Sequence, residues 1–184
     1  MEVKVNSNFK KALRDIGNVP RKYVQKAMVT ALNKVGAEVF TQAKRELRDA
    51  TGLKAGVVAK GLKKDKARKG DETYSIHIKS RYLNAIEFGA RQTKKGVSAK
   101  IWGVRKNYKG AFIGGGRNSG KQLVFKKSKH NPKRIEAVHG ASLPREFERQ
   151  GMAKIFNKKI KIRFPILFKR AVEFHLMKAQ SRLR

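Results

Sequence analysis

Apolar residues recur with a helical period from Pro20 to about Asp49: Tyr23/Val24, Ala27/Met28, Ala31/Leu32, Val35, Val39/Phe40, Ala43 and Leu47. That spacing predicts one long amphipathic helix, roughly 45 Å in length at ~1.5 Å per residue. Pro20 suits its first turn, and Thr51-Gly52 its end. Before it, "MEVKV" alternates as a short strand does. "SNFKKALRDIG" reads as a helix, with Ser7 as N-cap, Phe9, Leu13 and Ile16 on one face, and Gly17 as its stop. After it, "LKAGVVAKGL" predicts a short helix, and "KGLKKDKARKGD" (60–71) an exposed basic connection.

The period then changes. "ETYSIHIKS" sets Tyr74, Ile76 and Ile78 against polar neighbours, the pattern of a half-buried strand. Further short strands are expected at "NAIEF", "AKIWGV", "GAFIG" and "QLVFKK". Helical spacing returns at Pro144, and Met152, Phe156, Ile160, Phe164, Leu167, Ala171 and Phe174 mark one face. Pro165 is expected to kink or split that helix. Helices, then strands, then helices predict an α+β fold, an antiparallel sheet packed on one face by a long N-terminal helix and a kinked C-terminal helix. A chain of 184 residues suits a single domain, helical over 7–62, strand-rich over 72–138 and helical again over 144–182.

Charge changes the picture. There are 46 Lys+Arg against 13 Asp+Glu, a formal net charge of +33. Such an excess repels itself, and a polyanionic partner is the usual compensation. A solvated basic surface is the plainer alternative. From Phe88 to Ile135 there are fourteen Lys/Arg and no carboxylate, so no ion pair can form within that window. Trp102, Tyr108, Phe112 and Phe125 are interleaved there. Basic residues with aromatics suit phosphate contact and base stacking. Phe112 and Phe125, at strand spacing, are expected inside. Trp102 is equally open to the core or to a protein contact, and with Tyr108 forms the candidate protein interface. The candidate nucleic-acid contacts are Lys63, Lys64, Lys66, Arg68, Lys69, Arg91, Lys94, Lys95, Arg105, Lys106, Lys109, Arg117 and Lys121.

"GGGRNSGKQ" places Gly115 and Gly120-Lys121 at the spacing of a phosphate-binding loop. Such a loop needs a hydroxyl next, where Gln122 stands, and a helix to follow, where "QLVFKK" has strand character. A hairpin is the better reading, "GAFI" pairing with "QLVF" across a flexible basic tip. That tip is either an ordinary turn or a partner contact. Cysteine is absent, so no disulfide or thiolate chemistry exists. The four histidines lack metal-site spacing. His139 with Ser142, and Asp71/Glu72 with Glu87, would carry chemistry only if the fold converged them; solvated surface is the simpler role. No residue is assigned as catalytic, cofactor-binding or metal-ligating. The longest apolar run is "FPILF" and the N-terminus has no apolar leader, so the expectation is a soluble cytoplasmic protein with no membrane partner.

Residues 96–147 carry a resemblance. Ala111-Phe112-Ile113 before a glycine-rich turn, Val124-Phe125-Lys126 after it, Ile135, then Gly140, Ser142, Leu143 and Pro144 opening a helix resemble the prophage minor tail protein Z family, the tail-completion proteins of long-tailed phages. Ala31, Asn33 and Lys34 match that family's long helix. Arg134, Lys126 and Ala141 depart from its usual proline, arginine and proline. The resemblance implies a structural virion protein, not an enzyme. It would act at the head-proximal end of the tail, beside packaged DNA, with tail terminator or tail tube proteins and head–tail connector proteins as neighbours. A ring-shaped homo-oligomer follows from the symmetry of a tube. The alternative is a free, non-specific nucleic-acid-binding factor for packaging or processing.

Overall fold

The computed structural model describes residues 2–5, 19–79, 82–116 and 120–181. The helix expected at Ser7–Gly17 lies outside the described residues. The architecture is α+β, with strands in several antiparallel sheets and a long helix toward each end. The chain packs as two compact units. One comprises 1–43, 63–77 and 151–184; the other comprises 44–62 and 78–150.

The first unit contains most of helix α1 (Arg21–Thr51) and all of α4 (Met152–Gln180). Its sheet has the order β1-β3-β2, from β1 (Glu2–Val5), β2 (Leu62–Asp65) and β3 (Tyr74–Ile78). The predicted stripe of α1 is the buried one: Val24, Ala27, Ala31, Leu32, Val35, Val39 and Ala43 all lie in the core. Gly36 completes it, because a Cβ there would collide with the Tyr74 ring, which lies directly against the helix backbone. α1 and α4 run antiparallel. Thr30 meets His175, Glu38 meets Arg163 and Gln42 meets Lys159, so partner order reverses along the pair.

On α4 the buried row is Met152, Phe156, Ile160, Phe164, Leu167, Phe168, Ala171 and Val172. Phe174, expected on that face, is 52% exposed, because Phe168 and Val172 take the last inward positions. The helix is not split at Pro165, which is exposed. Pro165 removes the N–H that would bond the carbonyl of Lys161.

The second unit holds the end of α1, α2 (Ala55–Gly61), α3 (Leu143–Arg149) and three sheets. β4 (Tyr82–Asn84) pairs with β11 (His139–Ser142). β5 (Arg91–Thr93), β6 (Gly96–Ile101) and β7 (Val104–Lys109) form a meander. β8 (Ala111–Gly115), β9 (Gln122–Lys127) and β10 (Ile135–Ala137) form another. The core gathers Leu47, Val58, Leu83, Phe88, Val97, Ile101, Val124, Leu143 and Phe147. Gly140 permits close packing here, since a Cβ would strike the Phe88 ring.

Three local expectations are corrected. "NAIEF" is not a strand: Ala85–Phe88 form a 3-10 turn because the Asn84 side chain accepts the Ile86 N–H. "AKIWGV" is two strands, since Trp102 and Gly103 turn the chain between β6 and β7. The connection 60–71 is partly a strand, β2, followed by a turn closed between Arg68 and Asp71.

Candidate nucleic-acid and protein interfaces

In the first unit, Lys63, Lys64, Lys66, Arg68 and Lys69 are all exposed. Their segment is held down by its apolar and backbone atoms. Ala67 is buried, and Asn33 on α1 grips it from both sides: the amide Nδ2 donates to the Ala67 carbonyl at 3.0 Å and Oδ1 accepts the Ala67 N–H at 2.9 Å. Lys64 lays its ammonium 5.2 Å from the Phe40 ring centre. The turn itself is Lys69-Gly70, where Gly70 has φ 90 and the Arg68 and Asp71 backbones exchange two hydrogen bonds. Asp65 binds the His77 ring at 2.8 Å. The lysines therefore project from a fixed loop.

In the second unit the β5–β6–β7 sheet sorts its residues by alternation. Val97, Ala99 and Ile101 of β6 point into the core. Ser98 and Lys100 point the other way. Register places Arg91 and Asn107 beside Ser98, Arg105 beside Lys100, and Lys109 beside Gly96. Arg91, Lys100, Arg105 and Lys109 therefore share one outward face, with Ser98, Asn107 and Thr93 between them. Arg105 donates to the Ser98 hydroxyl at 3.3 Å, which aligns its guanidinium along that face. With no carboxylate anywhere in the surrounding window, this is a cationic platform of oriented donors. Lys94 and Lys95 are exposed in the turn at its end.

Not all the candidates join it. Lys106 pairs with Ala99 and so belongs to the opposite face of the edge strand. Lys121 is exposed at the β8–β9 hairpin, where its carbonyl accepts the Gly116 N–H. Arg117 lies outside the described residues. Lys100 was not among the candidates, although the alternation Val97-Ser98-Ala99-Lys100-Ile101 already assigned it to the exposed side. The two basic sets belong to different units.

Trp102 sits at the β6–β7 turn, 42% exposed, with φ 61. Gly103 follows at φ 74, so both central residues have positive φ, as a type I′ turn requires. A bulky aromatic in that region is strained. The ring is held by the Arg149 guanidinium, 5.2 Å from its centre. Arg149 is in turn fixed by three hydrogen bonds to the Glu146 carboxylate, at 3.0, 3.1 and 2.7 Å. Glu146 is fully buried and also accepts from Gln150 at 2.8 Å. Tyr108 is half-buried, and that burial raises its phenol above the usual range.

Phe112 and Phe125, expected inside, are a correction. They pair across β8 and β9 with ring centres 5.9 Å apart, but Phe112 is 37% exposed and Phe125 half-buried. Register explains it: Ala111 and Val124 occupy the inward positions, so their neighbours must face outward. Ile135, 55% exposed, lies on the same outward side.

Among the described residues, no three His, Asp or Glu side chains gather as a metal-binding group, and no helix is long and apolar enough to cross a membrane. The model of the family described as prophage minor tail protein Z (GPZ) matches residues 8–182, nearly the whole chain. No curated protein and no solved structure matches it.

Proposed function

The chain belongs to the prophage minor tail protein Z family, a structural component of the phage tail and hence of the virion, and on that premise we propose that it completes the head-proximal end of the tail. There it supports joining of the tail to the head beside the packaged DNA. Its work is structural rather than catalytic. The observation that carries the reading is the platform of Arg91, Lys100, Arg105 and Lys109, in a stretch from Phe88 to Ile135 that holds no carboxylate and so suits an external polyanion. Phosphodiesters fit it, and non-specifically: phosphate contacts fix position without reading sequence. The exposed Trp102 tip faces protein neighbours, the tail terminator or tube on one side and the connector on the other. Copies arranged around the tail axis would form a ring.

Removing the gene product from the producing phage tests this. The expected result is separate, full heads and finished tails that do not join. Normal infectious particles would overturn it. A defect in DNA packaging or processing with protein absent from the virion would favour instead a free nucleic-acid-binding factor.

A further inference from the structure

In the first unit a cavity of about 280 Å³ lies among Lys22, Gln25, Lys26 and Thr30 of α1, Lys69 of the β2–β3 turn and His175 of α4. That is close to the ~300 Å³ at which pockets for drug-sized ligands begin, room enough for a phosphate-bearing group. Three lysines and a histidine line it from chain segments far apart in sequence, over an apolar wall that includes Val29, and among the described residues no carboxylate lines it. The positive end of the α1 dipole lies in the same first turns, which also lack an acidic residue. We propose that this cavity is an oxyanion site for a single phosphate group, separate from the cationic platform of the other unit.

The wall chemistry supports an anion rather than a neutral ligand. Thr30 donates its hydroxyl hydrogen to the Lys26 carbonyl at 2.8 Å, so at 3.1 Å from His175 it accepts from the ring Nε2–H. That bond orients the imidazole. Without an anion the ring resists a proton: desolvation lowers its pKa first, then the charges of Lys26 and Lys178. Lys22 and Lys69 line the same cavity. An incoming dianion offsets that field and favours the imidazolium. Binding is therefore linked to uptake of a proton at His175, whose pKa must rise on occupancy. A neutral or cationic ligand would give no such coupling.

The test uses full-length protein and two probes. Sulfate keeps two negative charges across pH 5–8, so any pH dependence belongs to the protein. Its binding, measured by calorimetry against chloride at equal ionic strength, is expected to tighten as pH falls through the histidine range. The His175 ring resonances should titrate at higher pH in sulfate. Lys26→Gln with Lys69→Gln should weaken binding at least tenfold and remove the titration shift. Equal effects from chloride, or a shift that survives the double substitution, would overturn the proposal. Short single-stranded oligonucleotides with and without a 5′-phosphate then identify the source. Tighter binding of the phosphorylated one assigns a nucleic-acid end; competition by inorganic phosphate alone assigns a free ion.

Discussion

Asn33 and Ala67 are joined as two strands would be: one side-chain amide supplies both a donor and an acceptor to one backbone residue. The second unit repeats the device. Asn84 donates to the Val124 carbonyl at 3.2 Å and accepts the Val124 N–H at 2.8 Å. At Ala67 the planar amide satisfies a backbone position outside any strand or helix; at Val124 it adds to the sheet along β9, whose carbonyl there also accepts the Val138 N–H.

Asn33→Ala should release the basic turn. It leaves the buried N–H and carbonyl of Ala67 without partners, which costs about 1–3 kcal/mol. The urea midpoint should fall, and the Ala67 amide should exchange hydrogen faster. Asn33→Asp keeps the acceptor and loses the donor, so its loss should be smaller. Equal stability of Asn33→Ala and the parent would show that the grip is incidental.

Tyr74 carries its own liability. Its ring is buried against Gly36, while its hydroxyl has no hydrogen-bond partner among the described residues. Tyr74→Phe should therefore stabilise, by about 1 kcal/mol, since an unmet hydroxyl is removed and the shape is kept. Burial pushes its phenol up to about 12 from a reference of 10.0. The folded state thus holds its proton where the unfolded chain has lost it, and stability falls as pH rises from about 10 toward 12. The phenylalanine protein should lack that alkaline loss.

Glu38 gives the acidic counterpart. Its hydrogen bond from Arg163 outweighs the opposing effect of burial and, with the charges of Arg163 and Lys159, holds its carboxyl below the usual range. A depressed carboxylate stabilises above its unfolded pKa, and that contribution disappears as pH falls through the folded value. Arg163→Met should flatten the acid limb of a stability–pH curve. An unchanged limb would remove this pair from the account.

Trp102 is the chain's single tryptophan, so its fluorescence reports the β6–β7 tip alone. Arg149→Gln should shift its emission by releasing the ring. Trp102→Asn places a residue suited to positive φ at the turn, relieving a strain of roughly 1–2 kcal/mol. The thermal midpoint should hold or rise while incorporation into tails falls. A less stable Trp102→Asn protein would mean that the ring is kept for packing rather than presented to a partner.

The cationic platform predicts a salt dependence. Logarithmic DNA affinity should fall linearly with logarithmic salt, by about 0.9 per phosphate neutralised. Lys100→Gln with Arg105→Gln should reduce that slope by about 1 to 2, and equally for unrelated sequences. Lys106→Gln alone, on the other face, should change it less.

Much of this was legible without coordinates. The stripe from Val24 to Leu47 and the row from Met152 to Ala171 are buried as their period requires, because a helix can hide only one face. The β8–β9 hairpin follows from alternation and glycine, with Gly115 opposite Gln122. Gly140 was visible only as part of a family pattern; its meaning, room for the Phe88 ring, is a contact between residues 52 positions apart. Phe112 and Phe125 were misjudged because alternation shows that two faces differ, not which one meets the core.

Composition and period by themselves determined the two long helices, the β8–β9 hairpin, the α+β class and the surplus of positive charge. The elements depend on neighbours one helical turn or one pleat away, and the charge on residue counts alone. Tertiary structure alone decided that Lys100 joins Arg91, Arg105 and Lys109, that Trp102 is strained and held outward by Arg149, and that His175 shares a cavity with Lys22 and Lys69. Those relations rest on strand register and on the closure of distant segments. The free energy that selects them is spread over many long-range contacts, and no local stretch of sequence carries it.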